Sequence, residues 1–222
     1  MTTSRPRRSR NRKGEGGRLR QEILAAAAAL LADLGDADAL TIRAVAAACS
    51  VTSPAVYQHF PDKAALLRAL LEREFDVFQK RLREAEKGAR DSCDALRRRC
   101  RAYVRFGAEQ PGSYRVLFSA SQLGPKGLAL QAEQPHPGSG VLNDLLAGVQ
   151  RCLLVHGRAT TETGFVALQL WTSLHGIVDL RISKPEIDWP PPEPMVDALL
   201  AQLHLVATGS SRPTLGGQGG QT

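Results

Sequence analysis

The sequence predicts an all-α chain. Apolar side chains recur three and four residues apart along most of its length, and no useful stretch alternates with period two. Gly35, Pro61 and a Gly/Pro-punctuated segment at 120–137 mark breaks between the periodic runs. With 222 residues and 43% hydrophobic content, the chain can bury a sizeable core in one large or two small domains.

Taken in order, residues 1–18 hold Arg5, Arg7, Arg8, Arg10, Arg12, Lys13 and Arg18 against Glu15, with almost no apolar side chains. They are expected to be a disordered basic arm, as is a polar tail over 209–222. Ile23, Ala27, Leu30 and Leu34 form the stripe of a first helix stopped by Gly35. Thr41 is placed to cap a short helix over Ile42–Ala48 with Val45 facing inward, and a turn follows at 49–51. Thr52 is expected to cap a third helix with Pro54 in its first turn, where a missing N–H costs nothing. Pro61-Asp62 ends that helix and starts a long fourth one reaching about Lys87, with a seam at Leu67, Leu71, Phe75, Phe78 and Leu82. Further helices are expected over 92–110, through Tyr114–Ser119, and near 139–156, 161–183 and 194–208.

Several functions lose support at this level. No run approaches the ~18 apolar residues of a membrane span, so a cytoplasmic protein is expected. Cys49, Cys93, Cys100 and Cys152 show neither a CxxC pair nor zinc spacing, which reads as reduced thiols with no metal and no cofactor. No catalytic residue is assigned: His59 has no nucleophile or carboxylate at a helical spacing that would orient it. A helical enzyme using Cys93 and Cys100 with His156 or His175 lacks any charged pair to support it.

The run "TSPAVYQHF" at 52–60 concentrates aromatic residues in a chain that is 5% aromatic. On a helix Val56 and Phe60 share one face, suited to the core, while Ser53, Ala55, Tyr57, Gln58 and His59 occupy the rest. That second face is either an ordinary surface or one built for the DNA major groove, with small residues for close approach, an amide to read adenine and hydroxyls to hold phosphates.

Leu40–Leu70, "LTIRAVAAACSVTSPAVYQHFPDKAALLRAL", resembles the DNA-binding segment of the tetracycline-repressor (TetR) family of bacterial transcription regulators. The likeness lies in Leu40-Thr41-x-Arg43, Val45-Ala46, Val51-Thr52, Tyr57-x-His59-Phe60 and Lys63 followed by Leu66-Leu67. The sequence departs from the family at Ser50, where a turn glycine is usual, and at Cys49, which replaces a common alanine. The resemblance implies an N-terminal three-helix helix-turn-helix DNA-binding domain over 19–66, joined by a long helix to a C-terminal helical ligand-binding and dimerisation domain over 67–208. It implies phosphate contacts from Thr41, Thr52, Tyr57, His59 and Lys63, and base contacts from Arg43, Ser53, Ala55 and Gln58, with Pro54 in the same contact surface. It further implies a homodimer through the helices near 161–183 and 194–208, seated on double-stranded DNA at a palindromic operator. On this reading the protein is a repressor released by a small apolar or aromatic effector. An activator, a ligand-independent regulator and a general architectural DNA binder are the alternatives.

"WTSLHG" at 171–176, "YVRF" at 103–106 and "PGSYRVLFS" at 111–119 resemble a C-terminal subgroup with a Trp…His-Gly signature. Tyr103, Phe106, Phe118, Trp171 and His175 are the expected ligand-pocket residues. The competing reading makes Trp171 a core anchor and His175 a hydrogen-bonded core histidine.

Overall fold

The computed structural model describes residues 16–119 and 136–206, and among these it holds helices and turns. The N-terminal group comprises α1 (Gly16–Leu34), α2 (Ile42–Ala48) and α3 (Ser53–Tyr57), followed by the long α4 (Lys63–Glu86). The C-terminal group adds α5 (Ser92–Glu109), α6 (Pro111–Ser119), α7 (Ser139–Val155), α8 (Thr163–Ser183) and α9 (Pro192–Gln202), with a 3-10 turn at Thr160–Glu162 leading into α8.

The α4 seam is buried as its spacing predicts, at Leu67, Leu71, Phe75, Phe78 and Leu82. Asp62 caps that helix by accepting from the Ala65 N–H at 2.7 Å. The first helix ends at Leu34, before Gly35, as expected, but differs at its start and in its stripe. It begins at Gly16, so Arg18, assigned to the arm, is helical and pairs with Glu22 at 3.0 Å. Its buried stripe runs through Leu19, Ile23, Leu24, Ala27 and Leu31, while Leu34 is 46% exposed. Rotation is not the reason, because 11 residues make about three full turns and keep Leu34 on the face of Ile23; it is exposed as the last residue of the helix. The expected arm before residue 16 and the tail over 209–222 lie outside the described residues.

The middle of the C-terminal group is α5, which packs against α4, α6, α7, α8 and α9. Gly107 permits its close crossing with α8: a Cβ there would stand 2.1 Å from Val178 Cγ1. Val178 is β-branched and stiff at χ1, so it does not swing aside cheaply. Asp197 on α9 accepts from Arg97 at 2.6 Å and from Arg101, both on α5. Burial pushes the Asp197 carboxyl up, but the two guanidiniums outweigh it and hold it at about 2.

Gly107→Ala is expected to destabilise the fold by about 2 kcal/mol through overpacking against Val178. The Gly107→Ala/Val178→Ala double variant should recover part of that loss, which a double-mutant cycle in urea denaturation will register as a coupling energy.

Candidate DNA-contacting surface and internal cavity

The α2–turn–α3 unit is built from two caps. Thr41 Oγ1 accepts from the Ala44 N–H at 3.1 Å at the start of α2. At its end the Val51 N–H reaches the Ala46 carbonyl at 3.0 Å and the Ser50 N–H the Ala47 carbonyl at 3.1 Å, the paired bonds of a Schellman motif. That motif requires a left-handed residue at its centre, and Ser50 supplies it with φ +56°. Thr52 occupies the cap position of α3, yet its side chain makes no capping bond. Pro54 removes one of the two N–H groups a cap side chain can serve, and the Ala55 N–H is taken by the Thr52 carbonyl at 3.0 Å. The Thr52 hydroxyl is thus exposed beside α3 without a capping role.

Val56 and Phe60 are 0% and 2% exposed and fix α3 to the core. Arg20 lies over the Phe60 ring, 5.1 Å from its centroid. Opposite, Tyr57, Gln58, Thr52 and Pro54 are exposed, with Ser53, Ala55 and His59 half-buried beside them. Arg43 is exposed on α2. Lys63 Nζ donates to the Asp38 carbonyl at 2.9 Å, which places its ammonium at the start of α4 and leaves two of its three protons for other acceptors.

A second feature lies inside the C-terminal group: a cavity of about 410 Å³. Its wall takes Phe75 and Leu82 from α4, Arg99, Cys100 and Tyr103 from α5, Phe118 from α6, and Trp171 and Leu174 from α8. The remaining side is His136, Gly138, Ser139, Val141, Leu142 and Leu145, on and just before α7. The lining is mostly apolar, with one buried cation. Arg99, 3% exposed, donates to Glu86 at 2.7 Å and lies 3.5 Å from Asp144, which also accepts from Arg83 at 2.8 Å and Gln79 at 3.0 Å. Burial pushes the Asp144 carboxyl up, but hydrogen bonds from Arg83 and Gln79 outweigh it and hold it below the usual range. Two guanidiniums face two carboxylates, so this polar corner is balanced in charge.

Beside the cavity runs a chain of hydrogen bonds. Tyr103 Oη and Tyr114 Oη are 3.2 Å apart, and Tyr114 Oη is 2.6 Å from His175 Nδ1. Burial pushes the His175 imidazole down against the pull of Asp179, which favours the uncharged ring beside the tyrosine.

Residues 23–70 match the family described as bacterial regulatory proteins, tetR family, and residues 96–203 match the tetracyclin repressor-like C-terminal domain. The chain belongs to the tetR family. It is accordingly a DNA-binding transcription regulator with a helix-turn-helix, and not an enzyme. Among curated relatives, the nucleoid occlusion factor SlmA of Salmonella typhi is 28% identical over 181 residues, covering 78% of this chain and 86% of that protein. SlmA of Photobacterium profundum is 30% identical over 98 residues, 44% of this chain and half the length of that relative. A transcriptional regulator from Rhodococcus sp. Rha1 shares the fold at TM-score 0.66 and 22% identity, over 84% of this chain and 94% of its own. The regulator FadR from Bacillus subtilis, solved with stearoyl-CoA, does so at 0.67 and 14%, over 82% and 96%.

Within this tetR-family chain, the residues expected at DNA gather on one surface around α3, although the flanking Thr41 and Lys63 already hold intramolecular bonds. Of the expected pocket residues, Tyr103, Phe118 and Trp171 line the cavity. Phe106 and His175 are not among its lining residues. Phe106 is 1% exposed and packs on Phe78 at 4.7 Å, under the Arg81 guanidinium at 5.7 Å, and His175 is held by Tyr114. The residue that sequence reasoning missed is Arg99. Its signal was the spacing to Leu96, Tyr103 and Phe106, which sets it on the inward stripe of α5 despite its charge.

Ser50→Gly is expected to stabilise the protein by about 1 kcal/mol, because glycine adopts the left-handed turn without a Cβ penalty. The urea midpoint should rise at unchanged m-value.

Proposed function

We propose that the protein is a homodimeric repressor that binds a palindromic operator through the α3 surface and is released when a neutral, apolar small molecule fills the α4–α8 cavity. The observation that carries this reading is the position of α6. Its Phe118 stands in the cavity wall, while its other end packs on α1, where a Cβ at Gly112 would lie 3.1 Å from Ala32 Cβ. A ligand that displaces Phe118 therefore pushes on a helix already touching the DNA-binding group. Release then requires only that ligand and DNA favour different placements of that helix.

Arg99 is already matched by Glu86 and Asp144, so an added anion would meet two carboxylates, which favours an uncharged ligand. FadR's stearoyl-CoA joins an apolar chain to a charged group, and only the apolar part has a counterpart in this lining. The Trp171…His175-Gly176 signature accords with an aromatic wall on α8. Phe165 and Leu168 on α8 are 67% and 52% exposed. Covering them with a second copy gives the two-fold pairing that a palindrome demands through α8, without the expected share of the helix near 194–208, whose Val196 and Leu200 are buried within the chain.

In this scheme Gln58, Arg43, Ser53 and Ala55 face bases, while Thr41, Thr52, Tyr57, His59 and Lys63 hold phosphates. Selection from random duplexes with the full chain is expected to enrich a palindrome whose half-sites lie about 34 Å, or a multiple of it, apart. Gln58→Ala should weaken that site by ~10- to 100-fold while leaving random duplex unaffected. Enrichment of no palindrome overturns the reading. Val141→Phe, which narrows the cavity, should keep operator binding and lose release by apolar compounds.

A further inference from the structure

A second cluster of reactive groups lies outside both surfaces, where the first turn of α5 meets the end of α7. Cys93 Sγ is 3.7 Å from His156 Nε2. Cys152 Sγ also donates to the carbonyl of Ser92, the neighbour of Cys93, at 3.5 Å. The two sulfurs differ in access. Cys93 is half-buried and opens on a cleft of about 360 Å³ that also takes Arg90, Asp91, Asp94, Arg97 and His156, whereas Cys152 is 0% exposed.

We propose that Cys93 and Cys152 form a peroxide-reactive dithiol, in which Cys93 is the attacking sulfur, His156 its proton acceptor and Cys152 the resolving thiol. The chemistry separates the roles. Burial pushes the Cys152 thiol up, so it stays protonated and reacts second. Cys100 is also held inert, its thiol pushed up to about 12 by burial. Cys93 alone among the three combines an opening with a neighbouring imidazole.

In the first step Cys93 passes its proton to His156 Nε2, and the sulfur attacks the outer oxygen of a hydroperoxide. The S–O bond forms, the O–O bond breaks, and the alcohol leaves with the proton from His156. In the second step Cys152 attacks the Cys93 sulfenic acid. The S–S bond forms, the S–O bond breaks, and hydroxide leaves with the Cys152 proton as water. The sulfur pair loses two electrons and the peroxide gains them. The product ties α5 to α7, the two helices that carry Arg99, Cys100, Tyr103, Val141 and Leu145 in the cavity wall.

The test is peptide mapping of the purified full chain before and after hydrogen peroxide, with iodoacetamide rates measured for each cysteine. The expected result is one intramolecular Cys93–Cys152 link, reversed by dithiothreitol, with Cys93 alkylated faster than Cys49, Cys100 or Cys152 in the untreated protein. Cys152→Ser should leave a dimedone-reactive sulfenic acid at Cys93, and His156→Ala should slow Cys93 alkylation by about tenfold. Oxidation that leaves both thiols free, links other cysteines or takes Cys93 straight to sulfonic acid in the wild-type chain overturns the dithiol, and these readouts need no variant to fold. An unchanged rate in His156→Ala overturns the role of that histidine. Neither result bears on operator binding, so the proposed repressor function stands or falls separately.

Discussion

The C-terminal half depends on burying α5 against five other helices while it carries Arg97, Arg98, Arg99, Arg101 and Arg105. A guanidinium taken from water without a partner costs several kcal/mol, and of the five this bears on Arg99, 3% exposed, while the others keep a third or more of their side chains in solvent. Arg97 and Arg101 share Asp197 on α9, Arg99 meets Glu86 and Asp144, Arg98 meets Asp94 and the Lys87 carbonyl, and Arg105 meets Glu193. These partners lie on α4, α7, α9 and α5's own first turn, with the turn before α5 adding a carbonyl. The buried Arg99 pair therefore ties α5 to α4 and α7 beside the cavity, while the partly exposed pairs add little to a packing set by the apolar core.

The cavity takes its character from that pair and that core. Its aromatic wall is continuous with the core: Phe78 contacts Tyr103, Phe106 and Phe118, and Phe118 contacts Tyr114 and His175. Its polar corner is the Arg99 pair, already satisfied. A group entering it must supply apolar surface without adding a charge. It must also displace rings that rest on α6, the helix that touches α1.

Most of the fold was legible because helical spacing, caps and breakers act locally. Thr41, Asp62 and the α4 seam were each decided within a few residues, as was the left-handed turn at Ser50. The losses came where a third element chooses. Leu34 lies on the stripe's face, yet as the last residue of its helix it stays exposed. Thr52 looked like a capping side chain until Pro54 removed a partner. Phe106 and His175 were placed in the pocket by the resemblance of "YVRF" and "WTSLHG", but Phe78 and Tyr114 from other helices claim them, His175 in the way its competing reading as a hydrogen-bonded core histidine has it. Arg99 was passed over because a charge on a buried stripe becomes reasonable only when Glu86 and Asp144, 13 and 45 residues away in sequence, are seen beside it.

The electrostatics of the α3 surface separate attraction from discrimination. The helix Ser53–Tyr57 holds no acid and no base. Arg43 and Lys63 flank it, but Asp36, Asp38 and Asp62 lie in the adjoining loops, so the local field on an approaching phosphate is weak. The sequence concentrates its basic charge in the segment carrying Arg5, Arg7, Arg8, Arg10, Arg12 and Lys13, and phosphate contacts by such charges depend on salt through counterion release. Contacts made by an amide, a hydroxyl or a methyl group depend little on salt and strongly on fit. Were the arm to supply attraction and the α3 face the base contacts, rising salt would lower affinity while leaving the preference among sequences in place.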